Sequence, residues 1–423
     1  MARPRLVALI AGTSGAKLYS MGLNILALAL TARWLGPDGR GILATLTTWV
    51  NTAAMLASLS LGSVAMQRLA GCRDSARFGD VFHALLRFAW ILAICAWGVM
   101  ALLWLARGSA LFGNAPAWAL ALACLMLPCL VWEGYANALL TTIERLRVFN
   151  LSLVTGRSLM LLGLLCLAVL DGVTLAGVLA VSVLAQCWIA GYSFPTLRAW
   201  ARQHEAVGAS TAEGRALLHG GMRLHLNTVG TLALNMAGTL LIANMLGARE
   251  AGFFQLAQQL MTVLLVIPQS ASLVIYGRQG ELGPDGVWPL QRKMLLGVVA
   301  LTAIAGLAMA MSAHLWLPWV AGPGYEPAIP LLLAMLPILV MLSFSSMMAS
   351  QWIGRGLFLT ASLLTVLVGL VNLLASSVWI PEFGMMGAVY AQLLALLVAV
   401  FTNSSMALWC ELKSRRLRAE SGK

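Results

Sequence analysis

Apolar runs of about 20 residues or longer, separated by short polar turns, recur along the whole 423-residue chain. A helix rises 1.5 Å per residue, so about 20 apolar residues cross the roughly 30 Å hydrocarbon layer of a bilayer. Each run therefore predicts a transmembrane helix. Twelve are expected, at roughly 6–35, 41–66, 81–105, 117–140, 149–170, 175–194, 224–246, 253–276, 294–317, 328–352, 357–380 and 385–409. The first follows Arg3 and Arg5 as a signal peptide would, but it carries Lys17 and leads straight into further apolar runs, so it reads as a retained span. The predicted class is an all-α integral membrane protein.

The polar positions between the runs set the orientation. Counting Lys and Arg in alternate loops places 21 on one side, from Arg3 and Arg5 through Arg68, Arg145, Arg292 and Arg355 to the basic tail at 413–423. The other side has four, Arg33, Arg40, Arg107 and Arg249, and Lys17 and Arg157 remain inside spans. Positive residues are retained on the cytoplasmic side, so both termini are expected there. The composition, 60% hydrophobic and 10% charged, excludes an ordinary soluble protein, in which about a quarter of residues are charged. The net charge of +12 belongs to this topology and to contact with anionic lipids, not to nucleic acid. Seven cysteines, mostly inside apolar runs and without C-x-x-C spacing, predict packing rather than disulfides or a metal site. Tryptophans near span ends, such as Trp34, Trp104, Trp319 and Trp409, fit an interfacial belt.

The longest polar break, at 198–223, separates six spans from six. The chain is therefore divided into an N-terminal six-helix lobe at 1–200, a cytoplasmic linker at 201–222, a C-terminal six-helix lobe at 223–412 and a basic tail at 413–423. A shift of 211 residues lays Leu35-Gly36-Pro37-Asp38-Gly39-Arg40-Gly41 on Leu246-Gly247-Ala248-Arg249-Glu250-Ala251-Gly252, and Asn24 on Asn235. Six is even, so the halves share one orientation, a parallel pseudo-repeat about the membrane normal with a central cavity between lobes.

Charges inside spans are costly, about 2.5–3.5 kcal/mol each on insertion scales, so function is sought there first. Lys17, Glu133 and Arg157 lie about eleven, nine and eight residues into the first, fourth and fifth spans, a common depth of roughly 12–17 Å. Glu133 and Arg157, on adjacent antiparallel spans, can form a structural ion pair or belong to a transport site. Ser14, Lys17, Asn24 and Thr31 share one face of the first span. Arg223, Asn227, Thr231 and Asn235, with His225 nearby, form the equivalent stripe of the seventh, and Gln255 opens a glutamine-rich eighth. These stripes read either as interhelical hydrogen-bonding or as the walls of a hydrated cavity. With Lys17 and Arg157 against the one clear acid, Glu133, such a cavity favours an anion such as a phosphate. No nucleotide-binding motif is present, and no cofactor is expected.

The turn Leu35 to Gly41 after the first span resembles the external turn of bacterial polysaccharide-biosynthesis flippases of the multidrug/oligosaccharidyl-lipid/polysaccharide exporter superfamily. Ile380-Pro381-Glu382-Phe383-Gly384-Met385-Met386-Gly387-Ala388 resembles that family's turn into its last span, and Leu246 to Phe254 is similar to the turn opening its second lobe. The resemblance implies a two-lobed fold with a central cavity and alternating access. It further implies export of an undecaprenyl-diphosphate-linked oligosaccharide to the periplasmic leaflet of the bacterial inner membrane, for O-antigen or other surface polysaccharide. Glycan polymerases or glycosyltransferases are the partners implied. Lys17 and Arg157 match, in character and depth, the cations that meet the diphosphate in such families. Where many relatives carry an Asp-Arg pair in the seventh span, this chain has Gly238-Thr239. The rival readings are a multidrug or cation antiporter of the same superfamily, which favours cavity acids, a membrane glycan polymerase or ligase, and a non-transporting scaffold. An enzyme is not expected, because the external turns offer only scattered acids.

Overall fold

The computed structural model describes residues 3–69, 77–170, 172–204 and 211–421, apart from certain side chains that include those of Lys17 and Arg223. Fifteen α-helices account for nearly all of the described residues. They are α1 (Arg3–Ala57), α2 (Leu61–Arg68), α3 (Arg77–Arg107), α4 (Ala117–Cys124), α5 (Leu127–Thr142), α6 (Leu146–Val169), α7 (Leu175–Gln203) and α8 (Thr211–Asn235). They continue as α9 (Ala237–Met245), α10 (Ala248–Leu264), α11 (Val266–Ala321), α12 (Ala328–Ala334), α13 (Leu336–Gly354), α14 (Phe358–Phe383) and α15 (Met385–Ser421).

Among the described residues, nine helical stretches are long and apolar enough to cross a membrane, and eleven when the bent pairs 225–245 and 328–352 are each taken as one span. The difference from the expected twelve lies at Leu18–Arg68, which forms one stretch of 51 residues. At 1.5 Å per residue that is about twice the hydrocarbon thickness. Its helix is interrupted at Gly36, with φ 66° and ψ 179°, immediately before Pro37. Proline lacks the amide hydrogen and glycine alone tolerates that backbone, so the break falls where the sequence places a turn. The same pair, Gly283 and Pro284, interrupts α11.

The described chain divides into two compact units. The first comprises Met1–Thr228, Gly247–Gly252 and Val320–Pro323, and the second Val229–Leu246, Phe253–Trp319 and Gly324–Lys423. In the first, α5 packs against α3, α7 and α2, with α6 between α1 and α7. Its core is aromatic. Phe82 lies 5.7 Å from Trp132 and 6.1 Å from Phe194 between ring centroids, and Tyr135, Phe78 and Phe112 are fully buried. In the second, α14 pairs with α15, and Met348, Trp352 and Cys410 join α13 to α15. Large apolar side chains face outward throughout, with Leu105 81% and Val169 83% exposed. Such surface suits acyl chains and would aggregate in water. The protein is a multi-pass membrane protein.

Candidate functional site

Glu133 sits half-buried on α5, inside a span. Gln186 of α7 is buried and donates its side-chain amide to the Glu133 carboxylate. The half-buried acid is thereby partnered by a neutral donor, and no ion pair joins Glu133 to Arg157. Arg157 is half-buried on α6 and, among the described residues, has no ion-pair partner. Its helix is tied in on both sides of it. Ser158 Oγ lies 3.0 Å from Tyr19 Oη of α1, and Thr155 Oγ1 accepts a 2.9 Å hydrogen bond from Trp188 Nε1 of α7.

Glycines bring α6 and α7 this close. A Cβ at residue 156 would collide with Ile189 Cγ1, and one at residue 163 would lie 2.7 Å from Val181 Cγ1. Seven residues is two helical turns, so both glycines lie on one face, the small-residue contact that lets membrane helices approach. The next residues of α7 line an apolar furrow of about 570 Å³, bounded by Cys187, Trp188, Leu184 and Val181 on that helix and by Leu159 and Gly163 on α6. Cys187 Sγ lies 3.5 Å from Cys129 Sγ of α5. Gln186, Cys187 and Trp188 thus carry the polar contact and the furrow on consecutive residues.

A second arrangement lies where α1 gives way to α2. Leu59 and Ser60 take φ values of 45° and 55°, which side-chain-bearing residues seldom adopt. The bend is held from two directions. Tyr135 Oη donates to the Ser58 carbonyl at 2.9 Å, and Ser60 Oγ lies 3.0 Å from Thr228 Oγ1 and 3.3 Å from His225 Nδ1 on α8. Near the start of α8, Glu213 accepts from Arg68 Nε at 2.9 Å and from Arg77 Nε at 2.8 Å. The Arg68 hydrogen bond, with Arg77 aiding and burial opposing, holds the Glu213 carboxyl below its ordinary value. Three helix ends, those of α2, α3 and α8, meet at this carboxylate.

The repeated turns also meet. A Cβ at Gly41 would collide with the Ala248 carbonyl oxygen, and one at Gly252 would lie 2.9 Å from Gly41 Cα. Gly36 and Gly247, matched by the same 211-residue shift, both have positive φ, 66° and 124°.

Of the residues singled out from the sequence, Glu133 and Arg157 enter the α5–α6–α7 arrangement and His225 enters the Ser60 joint. Asn24, Asn227 and Asn235 are exposed, and Gln255 is buried on α10. No described contact joins these four to Glu133 or Arg157. The side chains of Lys17 and Arg223 lie outside the described residues. The backbone of residue 17 is on α1, two residues before Tyr19. Gln186, Thr155, Ser158 and Glu213 were not anticipated as contacts. Gln186 leaves a signal, as the one side-chain amide in the run 175–194. Among the described residues no cluster of three or more metal-binding side chains occurs.

Residues 7–276 match the family model described as polysaccharide biosynthesis protein. The chain belongs to that family. No sequence match is found among the curated proteins. The fold of this polysaccharide biosynthesis family member is similar to an inward-facing multidrug resistance MATE family transporter of the MOP superfamily, at 17% identity and TM-score 0.68, over 92% of this chain and 94% of the other. It is similar to the lipid II flippase MurJ in an inward closed conformation, at 12% identity and TM-score 0.72, over 93% and 87% of the two chains. An outward-facing MATE transporter aligns at 17% identity and TM-score 0.61, over 97% and 96%. The fold is therefore that of the MOP superfamily.

Proposed function

We propose that the protein is a flippase that carries an undecaprenyl-diphosphate-linked oligosaccharide from the cytoplasmic to the periplasmic leaflet of the bacterial inner membrane, by alternating access, during surface polysaccharide biosynthesis. The observation that carries the reading is Arg157, a half-buried guanidinium inside a span with no ion-pair partner among the described residues. A buried cation without a counter-charge is unfavourable in hydrocarbon and becomes favourable when an anion arrives. A guanidinium matches phosphate oxygens in pairs. Lys17, at similar depth by sequence, is the second cation of this reading, with Asn24, Asn227, Asn235, Arg223, His225 and Gln255 as further cavity contacts. Glu133 stays engaged with Gln186 and leaves Arg157 to the substrate. The furrow between α6 and α7 offers an apolar surface to a prenyl chain beside the headgroup site.

The test is transport in reconstituted vesicles. With Arg157→Gln, flux of the diphosphate-linked glycan should fall roughly tenfold or more, the loss of a charge-assisted contact, while the purified protein stays folded and monodisperse. Unchanged flux would remove Arg157 from the mechanism. Exchanging the two charges in Glu133→Arg with Arg157→Glu should not restore transport, and restoration would show a structural pair instead. Efflux of cationic dyes with no glycan flux would favour the multidrug antiporter.

A further inference from the structure

Two thiols meet inside the first unit. Cys129 of α5 and Cys187 of α7 are free cysteines whose sulfurs lie 3.5 Å apart, in van der Waals contact. The backbone brings them to one level. Cys129 is about twelve residues into the span Ala117–Thr142 and Cys187 about twelve into the span Leu175–Gln203, and with α6 between them in the chain these two spans run in the same direction. Both sulfurs therefore stand roughly 18 Å along their helices from the same side of the membrane. The neighbouring residues keep this register. Glu133 is one turn beyond Cys129 on α5, Gln186 directly precedes Cys187 on α7, and the contact between Glu133 and Gln186 ties the two helices beside the sulfurs. The sulfurs of a disulfide are about 2.05 Å apart, so thiols already in contact need only side-chain rotation to close the remaining distance. The sequence hides the pair, because 58 positions separate the two cysteines.

The furrow between α6 and α7 decides what reaches the pair. Cys187 is exposed and lines it, with the rings of Trp188 and Tyr192 beside it, 6.1 Å apart between centroids. Leu184, 64% exposed on the surface that suits acyl chains, marks its open side. A charged tripeptide such as glutathione does not enter hydrocarbon. A quinone, a flat ring on a prenyl tail, is dissolved there and suits an apolar furrow of about 570 Å³ with aromatic sides. We propose that Cys129 and Cys187 form a reversible intramembrane disulfide, with a lipid-soluble quinone as the oxidant. Both S–H bonds break and one S–S bond forms, and the two electrons and two protons released reduce the quinone to its quinol. The new bond closes a loop across 58 positions and fixes α5 against α7 beside Glu133. The assignment uses neither Arg157 nor the transported lipid, so it stands or fails separately from the flippase reading.

The experiment takes the full chain in nanodiscs, reduces it, removes the reductant and adds a short-chain ubiquinone in the absence of oxygen. Remaining thiols are then blocked and the peptides mapped by mass spectrometry. The wild type should yield a linked pair of peptides joining Cys129 to Cys187, about 2 Da below the sum of the two thiol peptides, with one quinol formed per link. Cys129→Ser and Cys187→Ser should each lose the link and the quinol, while Cys166→Ser, at an exposed thiol of α6, should keep both. Oxidised glutathione at the same concentration should leave the two thiols free. Thermal unfolding of the wild type should shift upward on oxidation and return on reduction with dithiothreitol, the effect of tying α5 to α7. Absence of the linked pair in the wild type, its formation with oxidised glutathione as fast as with the quinone, or an unchanged or lower unfolding temperature would overturn the assignment. These wild-type outcomes decide even where a serine variant fails to fold.

Discussion

The contact between Gly41 and Gly252 and the clasp at Glu213 both hold distant pieces of chain to the first unit, and they are made of opposite materials. At Gly41 no side chain takes part, and the fit depends on the absence of a Cβ from two glycines 211 positions apart. At Glu213 three charged side chains meet in two hydrogen bonds. Shape complementarity of the first kind is indifferent to salt and proton activity, whereas charge pairing of the second kind responds to both. The difference teaches which joint responds to salt and acid and which does not.

The largest effect is expected at the glycine joint. Gly41→Ala should lower stability by about 3 kcal/mol or more, because the new methyl must displace backbone and not a flexible side chain, and the yield of monodisperse protein should drop with it. A variant that folds normally would show that the two turns separate freely. Glu213→Gln should cost about 1 kcal/mol, a figure discounted because Arg68 and Arg77 are partly exposed, and the loss should shrink in high salt. Insensitivity to salt would mean the clasp acts by packing.

Acid gives a finer test of the same carboxylate. Its native pKa lies below the ordinary 4.5, so its contribution is fully present above that value and is lost as pH falls through the native value. Thermal unfolding of the wild type should therefore weaken on acidification below about 4.5 more than that of Glu213→Gln, while the Gly41→Ala defect stays constant across the range. The smallest change is expected from Ser60→Ala, about 0.5 kcal/mol for hydroxyl contacts at a bend that Tyr135 also supports. An effect as large as that of Gly41→Ala would make Ser60 the principal joint.

The helical, many-span character was legible because 20-residue apolar runs carry their own length scale. The turns at Leu35–Gly41 and Leu246–Gly252 align under a 211-residue shift, but their mutual contact was not legible, since nothing local in either turn encodes a partner so far along the chain. Glu133 and Arg157 were found by their charge, and antiparallel neighbours were the natural pairing. Which way each points depends on helix rotation, which at 100° per residue the sequence does not fix, and Glu133 meets Gln186 of α7 instead. Gln186 itself was hidden because one amide barely changes the hydropathy of a 20-residue window. The span count differed at Gly36 for a related reason, since the backbone breaks without leaving a polar loop long enough to separate two helices cleanly.

The glycines at 156 and 163 have a consequence for the proposed transport. With Ile189 seated over one and Val181 over the other, α6 and α7 mesh like teeth, and sliding one past the other by a single residue would drive a methyl group into backbone. Arg157 and Gln186, the α7 residue that grips Glu133, are thereby held in a fixed relation. A headgroup held there would keep the same grip from the moment of loading to the moment of release.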